Sequence, residues 1–149
     1  MIYVDANVFV HAYWKPKKIA SLSKKTKWMK DAAKKIVTRM SNDTNKSSYC
    51  ISLVQLSEIC NILKNGMSWV DLQDFCWGIM MNPAIDVIEV PLGLYLKAID
   101  EITTRKADPN DVVAILIMEK MGINEIFTFD KHFRTKTGIK CLPEFPDNF

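Results

Sequence analysis

Four acidic residues are placed where they could share one metal ion. Asp5 closes the segment Met-Ile-Tyr-Val-Asp at the N-terminus, Asp130 closes Ile-Phe-Thr-Phe-Asp, and Glu58 and Asp111 fall on helical patterns between them. In an open parallel sheet, ligands bind outside the carboxyl ends of the strands, so acids that end two buried strands are delivered to one crevice. Four carboxylates converging there repel one another. In a partly desolvated site the repulsion costs roughly several kcal/mol unless protons or cations neutralise it. Oxygen-only donors favour Mg²⁺ or Mn²⁺.

Each acid also has an ordinary reading. Asp5 could cap the short helix after it, since aspartate accepts backbone N–H bonds well there. Asp130 could open a turn through Asp-Lys-His. Glu58 lies opposite the helix face carrying Leu53, Leu56, Ile59, Cys60 and Leu63, where a glutamate is normally solvated. Asp111 follows Asp108 and Pro109 in capping-box style, which would explain both acids without a metal. Yet the helix that begins there, Val-Val-Ala-Ile-Leu-Ile-Met, is apolar almost all round and is expected to be buried. Asn7 and Thr128 stand two residues from Asp5 and Asp130, on the same side of extended chain, and are candidates to orient carboxylates.

The elements that must position these residues read as one α/β domain spanning residues 1–149. Strand signals run over Ile2–Asp5, Tyr49–Ser52, Ile85–Val90, Glu125–Phe129 and Ile139–Leu142. Helical patterns cover about Ala6–Trp14, Thr26–Met40, Leu53–Leu63, Trp69–Met81, Leu94–Thr104 and Pro109–Met121, with breaks at Pro16, Gly66, Pro83, Pro91 and Gly122. The alternation predicts a parallel sheet. Ser41–Ser48 reads as an exposed loop. The C-terminal Pro-Glu-Phe-Pro-Asp-Asn-Phe can continue neither a helix nor a central strand and is expected to pack over the sheet edge or fray.

Composition narrows the chemistry. A chain of 149 residues with 48% hydrophobic content suits a single core. Its segments predict a soluble, cytoplasmic protein with no membrane attachment. Cys50, Cys60, Cys76 and Cys141 form no CxxC pair and are expected to be buried free thiols. With two histidines only, a zinc site is disfavoured. No GxGxxG or GxxxxGK loop is present. The net charge of +3 is uneven: residues 15–39 hold ten cations against Asp31, a local excess of +9 that leaves −6 elsewhere. Such a segment suits a polyanion held beside an acidic metal site, and Lys15, Lys17, Lys18, Lys24, Lys25 and Lys27 are the candidate nucleic-acid contacts. A lysine-rich solvated helix is the competing reading. Trp14 and Trp28 flank this segment and could stack on bases or serve as core.

Taken in order, the motifs resemble the PIN domain, a family of Mg²⁺- or Mn²⁺-dependent ribonucleases that includes the VapC toxins. Ile-Tyr-Val-Asp-Ala-Asn-Val-Phe is similar to its first-strand motif, matching Asp5 and Asn7. Leu-Val-Gln-Leu-Ser-Glu-Ile resembles the acidic helix after its second strand, matching Glu58. Asn-Asp-Val-Val-Ala-Ile-Leu resembles its Asp-Ala-type helix, matching Asp111, and Phe-Thr-Phe-Asp-Lys-His-Phe its closing motif, matching Thr128 and Asp130. Valine follows Asp111 where alanine is usual, and the lysine-rich stretch before Glu58 is longer than in compact members, which leaves the subfamily open. The resemblance implies a three-layer α/β/α sandwich around a parallel sheet of about five strands. It further implies a metal-dependent endoribonuclease in which Asp5, Glu58, Asp111 and Asp130 are catalytic residues and hold Mg²⁺ or Mn²⁺. A VapC-type toxin would act on RNA, pair with a cognate antitoxin and form a homodimer. Competing readings are an RNA-processing nuclease, a non-catalytic RNA- or protein-binding scaffold, and an aspartyl-phosphate phosphatase. The last needs a second aspartate where Asn7 stands.

Overall fold

The computed structural model describes residues 1–15, 22–135 and 138–146. Five short strands, β1 (Ile2–Val4), β2 (Tyr49–Ser52), β3 (Ile85–Ile88), β4 (Glu125–Phe127) and β5 (Lys140–Leu142), pair in the order β3-β2-β1-β4-β5. Every neighbouring pair is parallel. The strands following β1 build outward to one side and β4 and β5 to the other, so the order reverses between β1 and β4. A crevice opens at such a reversal, beyond the carboxyl ends of the strands.

Several predicted strands stop one or two residues early, and side chains explain the ending of β4. After β4 the backbone N–H of Phe129 goes to Asn7 Oδ1 (3.1 Å) and that of Asp130 to Thr128 Oγ1 (3.0 Å). Side chains of the crevice thus take over donors that a longer ladder would have used.

Helices α1 (Ala6–Tyr13), α2 (Lys24–Asn42), α3 (Leu53–Leu63), α4 (Trp69–Met80), α5 (Leu92–Arg105), α6 (Pro109–Met121) and α7 (Lys131–Arg134) fill the connections. Ser23, Ser52, Ser68, Asp108 and Asp130 cap α2, α3, α4, α6 and α7 by accepting a backbone N–H inside the first turn. α6 ends at Gly122, whose φ of 67° is the left-handed conformation that glycine adopts without a Cβ penalty. α7 lies where the sequence suggested only a turn.

Alternation along the strands splits the core into two layers. Val4, Tyr49, Ile51, Ile85 and Phe127 face one side and pack with α1 to α4; Tyr3, Cys50 and Ile126 face the other and pack with α5, α6 and Phe133 of α7. The result is the α/β/α sandwich with a five-stranded parallel sheet. Val112 through Met118 of α6 are all buried, as the all-round apolar pattern of that helix predicts.

Some expectations are corrected. Leu53, placed on the inner face of α3, is 48% exposed because it sits in the first turn and projects past the end of the sheet. Gln55 takes the inner position and is 1% exposed. Only Cys50 is a buried thiol; Cys60, Cys76 and Cys141 are half-buried, and Cys60 and Cys76 touch across α3 and α4 with sulfurs 3.2 Å apart. Trp28 packs in the core against Phe129 and Phe145, while Trp14 remains exposed. Among the described residues no helix is long and apolar enough to cross a membrane.

Ile59 is fully buried on α3, the helix that carries Gln55 and Glu58. Ile59→Ala should therefore lower the unfolding free energy by about 2–5 kcal/mol. Urea denaturation checks this: the midpoint should fall with the m-value unchanged.

Candidate active site

The crevice is built around Asp5, the residue immediately after β1. Asp5 holds the N-cap position of α1 but makes no side-chain cap bond. The capping explanation therefore does not account for its burial, although the amides of Ala6 and Asn7 lie near enough to lower its pKa somewhat. Its carboxylate is instead held by three side chains from three elements. Asn7 Nδ2 and Thr128 Oγ1 both donate to Oδ2 at 2.6 Å, and Gln55 Nε2 donates to Oδ1 at 3.2 Å. Asn7 Nδ2 also reaches Thr128 Oγ1 at 3.3 Å, which ties α1 to the end of β4.

Gln55 is held in turn by Tyr3, whose hydroxyl donates to Oε1 (2.8 Å) and accepts from the backbone N–H of Ser52 (3.2 Å). Tyr3 is completely buried, and burial pushes its pKa above the ordinary phenol value, so it is a fixed neutral donor. The sequence reading passed over Tyr3 and Gln55. Gln55 was discoverable: four residues before Ile59 on the same face of α3, it is a polar residue where the pattern calls for an apolar one.

The other acids surround this arrangement. Glu58, from the second turn of α3, is half-buried and accepts from Asn110 Nδ2 at 3.0 Å, linking α3 to the start of α6. Asp108 accepts from the backbone N–H groups of Asn110 and Asp111. Asp108 therefore does the capping, and Asp111 is not needed for it. Asp130 caps α7 through the N–H of His132 (2.8 Å), and His132 Nδ1 lies 3.3 Å from the same oxygen. The turn role and a place at the crevice thus coexist in Asp130.

Two of these carboxyls, Asp5 and Asp111, are raised in the presence of the other acids. Burial, reinforced by the charge of Asp130, pushes the Asp5 carboxyl up to about 7 despite the Thr128 hydrogen bond. Asp111 is pushed up to about 8, chiefly by burial and then by the charges of Asp108, Asp5, Asp130 and Glu58. The charges of Asp5, Glu58 and Asp130, from three other parts of the chain, thus all reach Asp111. Such a donor set, all oxygen and mutually repelling, suits a hard divalent cation. Among the described residues, however, no three carboxylate, imidazole or thiol groups are drawn together closely enough to hold a metal as they stand.

No family model matches the chain, and no curated protein matches it in sequence. In three dimensions it is similar to Mycobacterium tuberculosis VapC20, a sarcin-ricin loop cleaving toxin, with a TM-score of 0.64 and 17% identity over 87% of this chain and 90% of that one. The fold is PIN-like. Likeness at this level of identity establishes the fold alone.

The lysines are distributed differently from the acids. Lys17 and Lys18 lie outside the described residues. Lys15 lines a groove between α2 and α4 with Asp71 and Asp74, away from the acids. Lys24 and Lys27 are exposed in the first turn of α2. Lys25 alone of the described candidates lines a cleft beside Asp130, in company with Lys131 and Arg134, which the sequence reading did not single out.

Two measurements probe the buried network. Tyr3→Phe leaves Gln55 Oε1 without its donor and should cost about 1–3 kcal/mol in denaturant unfolding. Asp5 and Asp111 hold protons more tightly in the folded protein than an exposed aspartate does, at about 7 and about 8. From about pH 4 to 8 the folded state then binds more protons than the unfolded chain, so stability should fall as pH rises, by on the order of a few kcal/mol. Thermal unfolding in EDTA across this range should show the decline, and Asp111→Asn should flatten it. A level profile for the parent protein would contradict the shared acidic site.

Proposed function

We propose that this chain is a metal-dependent endoribonuclease that hydrolyses RNA phosphodiester bonds, and that it is the toxin of a toxin–antitoxin pair. One observation supports the reading: at the carboxyl edge of a PIN-like sheet, where the strand order reverses, the charges of Asp5, Glu58 and Asp130 all raise the Asp111 carboxyl. The likeness to a sarcin-ricin loop cleaving toxin supports it.

In this mechanism Asp5, Glu58, Asp111 and Asp130 would hold Mg²⁺ or Mn²⁺. When bound, such a cation supplies Lewis acidity, making water a competent nucleophile near neutral pH and offsetting charge on the phosphate. Asn7, Thr128 and Gln55 fix both oxygens of Asp5, so this carboxylate needs no reordering when substrate arrives. Asp111 keeps its proton near neutral pH in the cation-free chain and would release it on binding, so occupancy of the site should increase with pH. No side-chain nucleophile is required. Lysines of the basic segment would hold the RNA backbone without reading sequence.

As a toxin the chain would act in the cytoplasm, be held inactive by a cognate antitoxin and form a homodimer. The α4 face that exposes Trp69, Trp77 and Met81 supports a protein contact, since large exposed apolar groups mark association surfaces. A non-catalytic RNA- or protein-binding scaffold is the second reading, favoured by the spacing of the acids as they stand.

The deciding experiment incubates the purified chain with labelled single-stranded RNA and a sarcin-ricin loop hairpin in Mn²⁺ or Mg²⁺. Cleavage should be lost in EDTA and fall at least about 100-fold in Asp5→Asn whose unfolding temperature is retained, with Asp111→Asn as the parallel variant. The absence of cutting, together with no rise in unfolding temperature on adding Mn²⁺, would replace the nuclease by the scaffold.

A further inference from the structure

An open cleft of about 550 Å³ reaches one of the four acids, Asp130, and its wall also includes Asn7, the partner of Asp5. Its remaining lining is unlike the acidic crevice. Lys25 of α2 and Lys131 and Arg134 of α7 face it, with Phe129 and Phe145 as apolar surfaces. Among the described residues none of these three cations forms an ion pair with an acid. Arg105, Lys97 and Lys140, by contrast, all pair with glutamates. What sets these three apart from the other cations without an ion pair is that they are gathered on one cleft beside Asp130.

Two of them are also held in place. The Arg134 guanidinium carbon stands 4.4 Å from the centre of the Phe145 ring, and its Nη2 donates to the Pro143 carbonyl at 3.0 Å. The Lys25 ammonium stands 5.2 Å from the same ring centre. Phe145 is anchored by Trp28 at 4.9 Å and Phe129 at 6.3 Å between ring centres. An aromatic ring that attracts two cations to one point lowers the rotamer freedom that each would lose on gripping a ligand. The C-terminal segment, which the sequence analysis expected either to pack over the sheet edge or to fray, thus supplies the ring that positions two cations beside Asp130.

We propose that this cleft binds the phosphate of a nucleotide flanking the scissile bond, gripped by Arg134, Lys25 and Lys131, with Phe145 as the residue that positions the first two. The assignment rests on the ribonuclease reading and adds the strand's path to it: RNA leaves the acids on the Asp130 side, toward α7 and the C-terminal segment. Arginine suits this role because its planar fork keeps further donors for phosphate oxygens after Nη2 is committed. The cleft exceeds the size of an isolated phosphate and ends at Asp130 and Asn7, which favours a chain over a free anion.

Fluorescence anisotropy with a short labelled single-stranded RNA tests the proposal, with the full chain in EDTA and a series of salt concentrations. Arg134→Gln and Lys25→Gln should each weaken binding by about three- to tenfold at 0.1 M salt, and each should reduce the slope of log K against log salt by about 0.7, the loss of one phosphate contact to a single strand. Phe145→Leu keeps an apolar anchor and all charges, so it should weaken binding less than Arg134→Gln with the slope nearly unchanged. Lys120→Gln, at the far end of α6, should bind as the parent does. Unfolding temperatures serve as the check on folding for all four variants.

If Arg134→Gln and Lys25→Gln bind with the parent's affinity and slope while the parent cuts RNA in Mn²⁺, the phosphate cleft is refuted and the nuclease stands. If the parent neither binds nor cuts any RNA offered, both fail together. Loss of affinity in Arg134→Gln and Lys25→Gln without change of slope would also overturn the proposal, because a phosphate grip must release counterions.

Discussion

A carboxylate buried at the end of the central strand has to be held by donors from outside its own segment, and much of the crevice is arranged to meet that requirement. Asp5 is 5% exposed, yet three neutral side chains reach it: Asn7 two residues along, Gln55 from α3 and Thr128 from the end of β4. An unpartnered carboxylate in such a place would cost several kcal/mol, roughly, and would simply stay protonated. With donors supplied, its pKa is raised only to about 7, so both charge states are accessible near neutrality. Gln55 in turn needs Tyr3, and Tyr3 takes the Ser52 amide. The buried side-chain polar atoms of the described chain all find partners. Three strand ends are thereby joined through side chains as well as through the sheet ladder.

The two-sided core places this network. A parallel sheet covered on both faces exposes little but its edges, and the carboxyl edge receives whatever follows each strand. Short strands of three or four residues leave the starts of α1 and α3 close to the crevice, and α6, which follows α5, begins beside them where Asn110 meets Glu58. Asp5 stands at the N-cap of α1, Glu58 in the second turn of α3 and Asp111 in the first turn of α6. The separate Asp108 cap frees Asp111 from the usual helix-end duty, and burial along α6 from Val112 onward keeps that first turn from drifting outward.

The local pattern of the fold was readable because each element is announced by its own residues. Buried strands carry continuous apolar runs, serines and aspartates stand at most helix starts, and Gly122 marks the end of α6. Misreadings occurred where position depends on a neighbour. Leu53 belongs to the apolar stripe of α3 by spacing, but at the first turn there is no partner above it to cover it. α7 is four residues long and too short for periodicity to show. The C-terminal segment has no pattern of its own, and its place is set by aromatic contacts with Trp28 and Phe129.

For the candidate site, residue types and spacing along the chain were enough to name Asp5, Asn7, Glu58, Asp111, Thr128 and Asp130 as candidates, because strand ends and early helix turns are local features and a parallel α/β order directs them toward one edge. What only the tertiary structure decided is which of them touch and what holds them. Gln55 reaches Asp5 across fifty residues and Thr128 across 123, distances that no periodicity encodes. The same holds for charge. Composition located a basic segment, but Lys15 faces the α2–α4 groove, whereas Lys25 meets Lys131 and Arg134 beside Asp130. Local propensity is a property of neighbours in sequence, while electrostatic and hydrogen-bond partners are set by packing, and packing is fixed only when the whole sheet has closed.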